Sequence, residues 1–153
     1  MISFLPMIPL AYFGARLSII DSKSHRLPNH LVGWFVAVEI LIMGITGWMA
    51  SDFARLLTAL GVAAATMISY VLLYLLSRGS LGMGDVKFAF PLGLCVGWYS
   101  ANQWLLAIFV SFLIAGLVSV IGLVTKRMTR KSRLAFGPYM FLGTFLVCVF
   151  EVL

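Results

Sequence analysis

The sequence predicts an all-α fold: a polytopic membrane bundle of about six transmembrane helices. Its 153 residues are 62% hydrophobic and only 10% charged, whereas a soluble domain is about a quarter charged. A membrane span needs about 20 mostly apolar residues to cross about 30 Å of hydrocarbon, and the apolar residues fall into segments of about that length. We therefore predict a single membrane-embedded domain over residues 1–153.

The predicted spans, in order along the chain, are 2–20, 31–50, 56–76, 86–100, 104–124 and 134–152. No basic residues precede the first apolar stretch, so it is predicted to be a span and not a cleaved signal peptide. Span four is unusual, because its 15 residues rise only about 22 Å at 1.5 Å per residue. We therefore expect residues 82–84 to enter the membrane as irregular backbone that lines a wet cavity.

Basic residues are concentrated in alternate breaks between the spans. Nine of the eleven lie in the first, third and fifth breaks or at Lys87, whereas the second break contains only Arg55 and the fourth contains none. Basic loops mark the cytoplasmic side, so both termini are predicted to lie outside. The +6 net charge then indicates anionic membrane lipids as partners, and not nucleic acid.

Two of the five carboxylates, Asp21 and Asp85, lie at span ends on the predicted cytoplasmic side. Burying an ionised carboxylate is costly, so acids retained in a membrane protein are functional candidates. Two nearby carboxyls share one proton: the ionised member can take a proton from water, and the protonated member can donate to a carbonyl. This chemistry needs no metal or cofactor. The helix start at Asp85 favours its anion, so Asp21 is the expected protonated partner. Gly82 and Gly84 are explained by φ > 0 and by close approach of a substrate backbone.

Several motifs together resemble the type IV prepilin leader peptidases, which are GxGD membrane aspartyl peptidases. The resemblance covers essentially the whole chain, with the motifs in the family's order. The residues that carry it are Gly82-Met83-Gly84-Asp85 with its continuation Val86-Lys87, Asp21 followed by Arg26-Leu27-Pro28-Asn29, and Phe136-Gly137-Pro138, which follows Ala135 where the family often has proline.

The resemblance implies a hydrolase of the prokaryotic inner membrane that cuts the basic leader from type IV prepilins or type II secretion pseudopilins at the cytoplasmic face. In this interpretation Asp21 and Asp85 are the catalytic aspartates. The residues expected to support the site are Gly82, Gly84, Lys87, Pro28 and Asn29. Many members also have an N-methylating domain with CxxC pairs; this chain has no CxxC and resembles the short form, so no methylation is expected.

Two further charged residues are candidates for the cavity. Glu39 is the only acid deep inside a span, and Arg16 lies about one turn before Asp21. Glu39 either lines the cavity or makes an interhelical hydrogen bond, and Arg16 either extends to the interface or pairs with a carboxylate. The alternative functions are a preflagellin-type GxGD peptidase, a small ion-coupled transporter that uses Asp85 and Glu39, and a non-catalytic assembly scaffold. Nothing in the sequence indicates an oligomeric state.

Overall fold

The computed structural model describes residues 4–78, 81–127, 129 and 134–153. Within them the chain forms six α-helices and no β-strand, which confirms the predicted all-α membrane bundle. By length and composition α2, α3 and α5 are able to cross a membrane, and α6 is a shorter apolar helix. Ser80 and the basic residues Arg130, Lys131 and Arg133 lie outside the described residues. The helices are α1 (Met7–Ser24), α2 (Asn29–Met49), α3 (Phe53–Leu76), α4 (Met83–Tyr99), α5 (Trp104–Val124) and α6 (Gly137–Val152).

Two helix ends differ from the sequence prediction. The first helix continues to Ser24, so Asp21 lies in its last turn and not in the loop that follows. The fourth helix begins at Met83, so the prediction of irregular backbone throughout 82–84 is wrong for Met83 and Gly84. The physical reason is a cap: the Asp85 carboxylate accepts the N–H of Gly82, and a side chain that satisfies such a donor stabilises a helix start.

Helix α4 forms the centre of the bundle. All of its residues from Leu92 to Trp98 are buried, and its backbone comes very close to that of α3. A Cβ atom added at Gly93 would lie 2.8 Å from the Cα of Ala63, and one at Gly97 would lie 2.8 Å from the Cα of Ala59. Small residues at a helix contact allow this close approach, which is a common way of packing helices in membranes.

The contacts between helix ends show that the helices run in alternating directions. The last turn of α1 contacts the first residue of α6 through Asp21 and Gly137, and Lys87 in α4 reaches Asn29 at the start of α2. At the opposite end, Arg55 near the start of α3 donates to the carbonyl of Trp98 near the end of α4, at 2.6 Å. The bundle therefore gathers Asp21 and Asp85 at one end, and α1 begins and α6 ends at the other.

Candidate active site

Asp21 is held by the first residue of another helix. Its carboxylate is buried, with 6% of the residue exposed, and its Oδ2 atom accepts the N–H of Gly137 at 2.9 Å. The first N–H groups of a helix have no partner within the helix, so this carboxylate satisfies one of those of α6. A Cβ atom at Gly137 would lie 2.9 Å from the same Oδ2. The contact therefore depends on glycine at this position.

Asp85 lies in the first turn of α4, ahead of the predicted spanning residues 86–100, with 8% of the residue exposed. Its Oδ2 atom accepts the N–H of Gly82 at 3.2 Å. Burial, and then the negative charge of Asp21, raise the pKa of Asp85 to about 7, and the Gly82 hydrogen bond only partly opposes this. The direction is opposite to our expectation that the helix start would favour the Asp85 anion, because desolvation and the second carboxylate outweigh the helix dipole here.

Both aspartates line one cavity of about 300 Å³ at this end of the bundle. That volume is at the lower end of the range for binding pockets, roughly 300–1,000 Å³, and several times the roughly 30 Å³ that one water occupies in the liquid. The cavity thus brings two acids, water-sized space and basic side chains together. Its lining consists of Asp21, His25, Arg26, Leu27, Asn29, Gly82, Met83, Gly84, Asp85 and Lys87.

The residues predicted to support the site have different positions around it. Lys87 donates to the Asn29 side-chain oxygen at 3.0 Å and so links α4 to the start of α2 at the cavity. Pro28 is the N-cap residue of α2 and does not line this cavity. Gly82 has φ of −73° and Gly84 is helical, so positive φ explains neither glycine. A Cβ at Gly84 would lie 3.2 Å from the Cβ of Leu27, so close packing of the loop is the constraint at Gly84.

Glu39 and Arg16, the two further candidates for the cavity, do not line the one that contains the two aspartates. Arg16 is exposed and donates to the Tyr12 hydroxyl at 2.9 Å. Five residues at 100° each place it about 140° around α1 from Asp21, which explains the difference. Glu39 is completely buried in α2, ten residues or about 15 Å along the helix from Asn29. Neither of its carboxylate oxygens has a hydrogen-bond partner among the described residues.

The sequence reasoning assigned no individual role to several residues that contribute to this site. His25, Arg26, Leu27 and Met83 line the cavity, and Gly137 contacts Asp21 directly. The quoted motifs contained all of these except His25, but a motif gives no contact, so the role of Gly137 was missed. In the part of the chain that the structure describes, no three His, Cys, Asp or Glu side chains converge as a metal site.

Comparison with known proteins adds independent information. The sequence model of the type IV leader peptidase family matches residues 8–121. A prepilin leader peptidase/N-methyltransferase of Pectobacterium carotovorum subsp. carotovorum is 30% identical over 132 residues, which are 83% of this chain and 44% of the relative. One of Xanthomonas campestris pv. campestris is 26% identical over 145 residues, 92% of this chain and 48% of the relative. The chain spans about half the length of these two relatives, and no solved structure matches it.

Proposed function

The chain belongs to the type IV leader peptidase family, and from this premise we propose that it is a membrane aspartyl endopeptidase acting on type IV prepilins or pseudopilins. The observation that carries the proposal is that Asp21 and Asp85 line one cavity at one end of the bundle. Two buried carboxylates that interact across such a space divide into an acid and a base. The relatives named above are prepilin leader peptidases by description, which favours a prepilin leader as the substrate.

Hydrolysis by this pair begins with one ionised and one protonated aspartate. A water oxygen forms a bond to the carbonyl carbon of the scissile peptide, and the water proton passes to the ionised aspartate. The other aspartate donates its proton to the carbonyl oxygen, which gives a neutral tetrahedral diol. The C–N bond then breaks as the leaving nitrogen takes the proton from the first aspartate. A diol hydroxyl returns its proton to the second aspartate, so the pair ends as it began.

We further propose that this cavity faces the cytoplasm. The described basic residues at the aspartate end include Lys23, Arg26 and Lys87, whereas Arg55 lies at the opposite end. Clusters of lysine and arginine mark cytoplasmic loops. A leader peptide that remains in the cytoplasm while its hydrophobic segment is in the bilayer would then reach Asp21 and Asp85 from the membrane surface.

The test is cleavage of a prepilin by purified protein in detergent. Asp21→Asn and Asp85→Asn each keep the shape of the side chain but cannot exchange the proton, so each should lower the initial rate by about 10³-fold or more. Both variants should still accumulate in the membrane.

Glu39→Gln is the matched control, because it changes a third buried acid that does not line the cavity. Its initial rate, compared at equal amounts of folded protein, should stay within about twofold of the unaltered protein, since Gln keeps the hydrogen-bonding shape. Near-normal cleavage by either aspartate variant would contradict the proposed pair. Loss of cleavage in Glu39→Gln to the level of Asp85→Asn would show that a third carboxyl is required.

A further inference from the structure

The contact between Asp21 and Gly137 gives the two aspartates different surroundings. Both carboxylates lie in the same cavity, and each accepts one backbone N–H that we can identify: Asp21 from Gly137 at 2.9 Å and Asp85 from Gly82 at 3.2 Å. Both donors lie at the start of a helix, but only Asp85 belongs to the same helix as its donor. Gly82 is the extended N-cap residue ahead of α4, whereas Gly137 is the first residue within α6.

The start of α6 provides a favourable site for a negative charge. A helix N-terminus carries a partial positive charge equivalent to roughly half an elementary charge, and hydrogen bonds from N–H groups to a carboxylate favour its ionised form. The first turn of α6 contains no acidic residue of its own. Asp21 therefore receives the axial field of a helix to which it does not belong.

Glycine is required for this arrangement for steric reasons. A Cβ atom at Gly137 would lie 2.9 Å from Oδ2 of Asp21 and 3.3 Å from its Cβ and Cγ, which is closer than an unstrained contact. Any other residue would push the carboxylate away from the N–H or push the start of α6 away from α1. The sequence Phe136-Gly137-Pro138 thus places glycine, the one residue without a Cβ atom, at the first position of α6.

We propose that Gly137 is a positioning residue, which holds Asp21 as the ionised, water-activating member of the pair, so that Asp85 carries the shared proton. This inference rests on the proposed function and assigns a role to each aspartate within it. The raised pKa of Asp85 agrees with the assignment. The other titratable or charged groups that line the cavity are His25, Arg26 and Lys87.

Carbodiimide labelling tests the assignment without relying on cleavage. A hydrophobic carbodiimide adds the O–H of a protonated carboxyl across its C=N bond, and the adduct rearranges to a stable acylurea. Ionised carboxylates do not react in this way. In the unaltered protein at about pH 6, where a carboxyl with a pKa of about 7 is mostly protonated, mass spectrometry should find Asp85 modified at least threefold more than Asp21. Equal modification, or preference for Asp21, would overturn the proposal.

Gly137→Ala should increase labelling of Asp21 at least threefold, because the added methyl group displaces the carboxylate from its N–H donor. Gly143→Ala is the control, since it strains the same helix but its Cβ would meet Ser111 and not Asp21. Equal labelling of Asp21 in the two variants would overturn a positioning role. If prepilin is not cleaved at all but the labelling pattern holds, then the proposed substrate is wrong and the division of roles stands.

The two variants should also differ kinetically. Gly137→Ala should lower kcat at least tenfold while KM stays within about threefold, because the change affects water activation and not the binding of the leader. Gly143→Ala, compared at equal amounts of folded protein, should leave kcat within about twofold. A change in KM alone in Gly137→Ala would contradict the positioning role.

Discussion

Asp85 lies in surroundings that disfavour its negative charge, and this has a consequence for activity. Its pKa is raised from 3.8 to about 7, first by burial and then by the charge of Asp21. Below pH 7 the carboxyl is mostly protonated and can donate to the substrate carbonyl; above pH 7 it is mostly ionised and cannot. The cleavage rate should therefore fall about tenfold for each pH unit above about 7.

Initial rates between about pH 5 and about pH 9 check this expectation. The substrate should carry no group near the scissile bond that titrates in this range. The fall in rate at high pH can then be assigned to the enzyme. A rate that stays constant up to the upper limit would mean that the protonated form of Asp85 is not needed.

Gly84 matters because it has no Cβ atom and so leaves room for Leu27. Since its added Cβ would lie 3.2 Å from the Cβ of Leu27, Gly84→Ala should shift the loop that lines the cavity by a few tenths of an ångström. Small displacements of catalytic groups are costly, so we expect the cleavage rate to fall about tenfold. The larger, β-branched side chain of Gly84→Val should stop cleavage.

Shortening the neighbour should relieve the effect. Leu27→Gly removes the Cβ that a side chain at position 84 would meet at 3.2 Å. Combined with Gly84→Ala it should recover most of the lost rate, and a double-mutant cycle should show favourable coupling. Gly33→Ala is the matched control, because an added Cβ at Gly33 meets nothing within 4 Å. Independent effects at Gly84 and Leu27 would contradict the steric explanation.

At the residue scale, the sequence predicted which residues lie at the site better than it predicted what they do. The cost of acids in a membrane made all five carboxylates candidates. Asp21 and Asp85 were then selected by their position at span ends on one predicted side and by the motifs around them. The contact of Asp21 with Gly137 joins residues 116 positions apart, and no local pattern encodes such a pairing. The side of α1 on which Arg16 lies follows from helical geometry, but only once the helix is known to continue through Asp21.

At the scale of single elements, α4 connects the site to the rest of the bundle. Asp85 lies in its first turn, and Gly93 and Gly97, about one turn apart, pack against α3. The spacing of apolar residues predicted the existence of this helix, but not its first residue. Its start depends on the hydrogen bond between Gly82 and Asp85, which short-range patterns of hydropathy do not show.

The contact between α3 and α4 gives a stability prediction. Gly93→Ala places a Cβ 2.8 Å from the Cα of Ala63 and 2.9 Å from the Cβ of Thr66, so the two backbones must separate. Overpacking of this kind costs about 1–3 kcal/mol, and each kcal/mol lowers Tm by about 2–4 °C in a protein of this size. Thermal unfolding in detergent measures the effect.

Gly61→Ala in α3 is the control for this measurement, because a Cβ there meets nothing within 4 Å. It should keep or slightly raise Tm, since alanine is the better helix former by roughly 1 kcal/mol. If Gly93→Ala is as stable as Gly61→Ala, then close packing of α3 against α4 does not limit stability.

At the scale of the whole molecule, the number of spans and the order of the breaks predicted which end each loop occupies. An even number of helices between Asp21 and Asp85 returns the chain to the same end, and the shared cavity agrees with that count. The count could not predict the distance between neighbouring helices. That distance depends on small residues on facing surfaces, such as Gly93 and Gly97.

Orientation in the membrane is the last prediction, and cysteine labelling measures it. Ser24 is exposed at the end of α1 next to the cavity, and Ala101 is exposed in the turn between α4 and α5 at the opposite end. A membrane-impermeant maleimide added to intact cells should label Ala101→Cys and spare Ser24→Cys, because the basic residues at the aspartate end predict that this end lies in the cytoplasm. Opening the membrane should expose Ser24→Cys as well.

The two natural cysteines, Cys95 and Cys148, are both buried, so the unaltered protein should give little background in this experiment. Labelling of Ser24→Cys in intact cells would place Asp21 and Asp85 on the outer face, where a cytoplasmic leader cannot reach them. Such a result would contradict leader cleavage at the cytoplasmic face while leaving the packing of the helices unchanged. If Ser24→Cys is protected until the membrane is opened, the cavity and the basic residues around it lie on the cytoplasmic side, where the leader is.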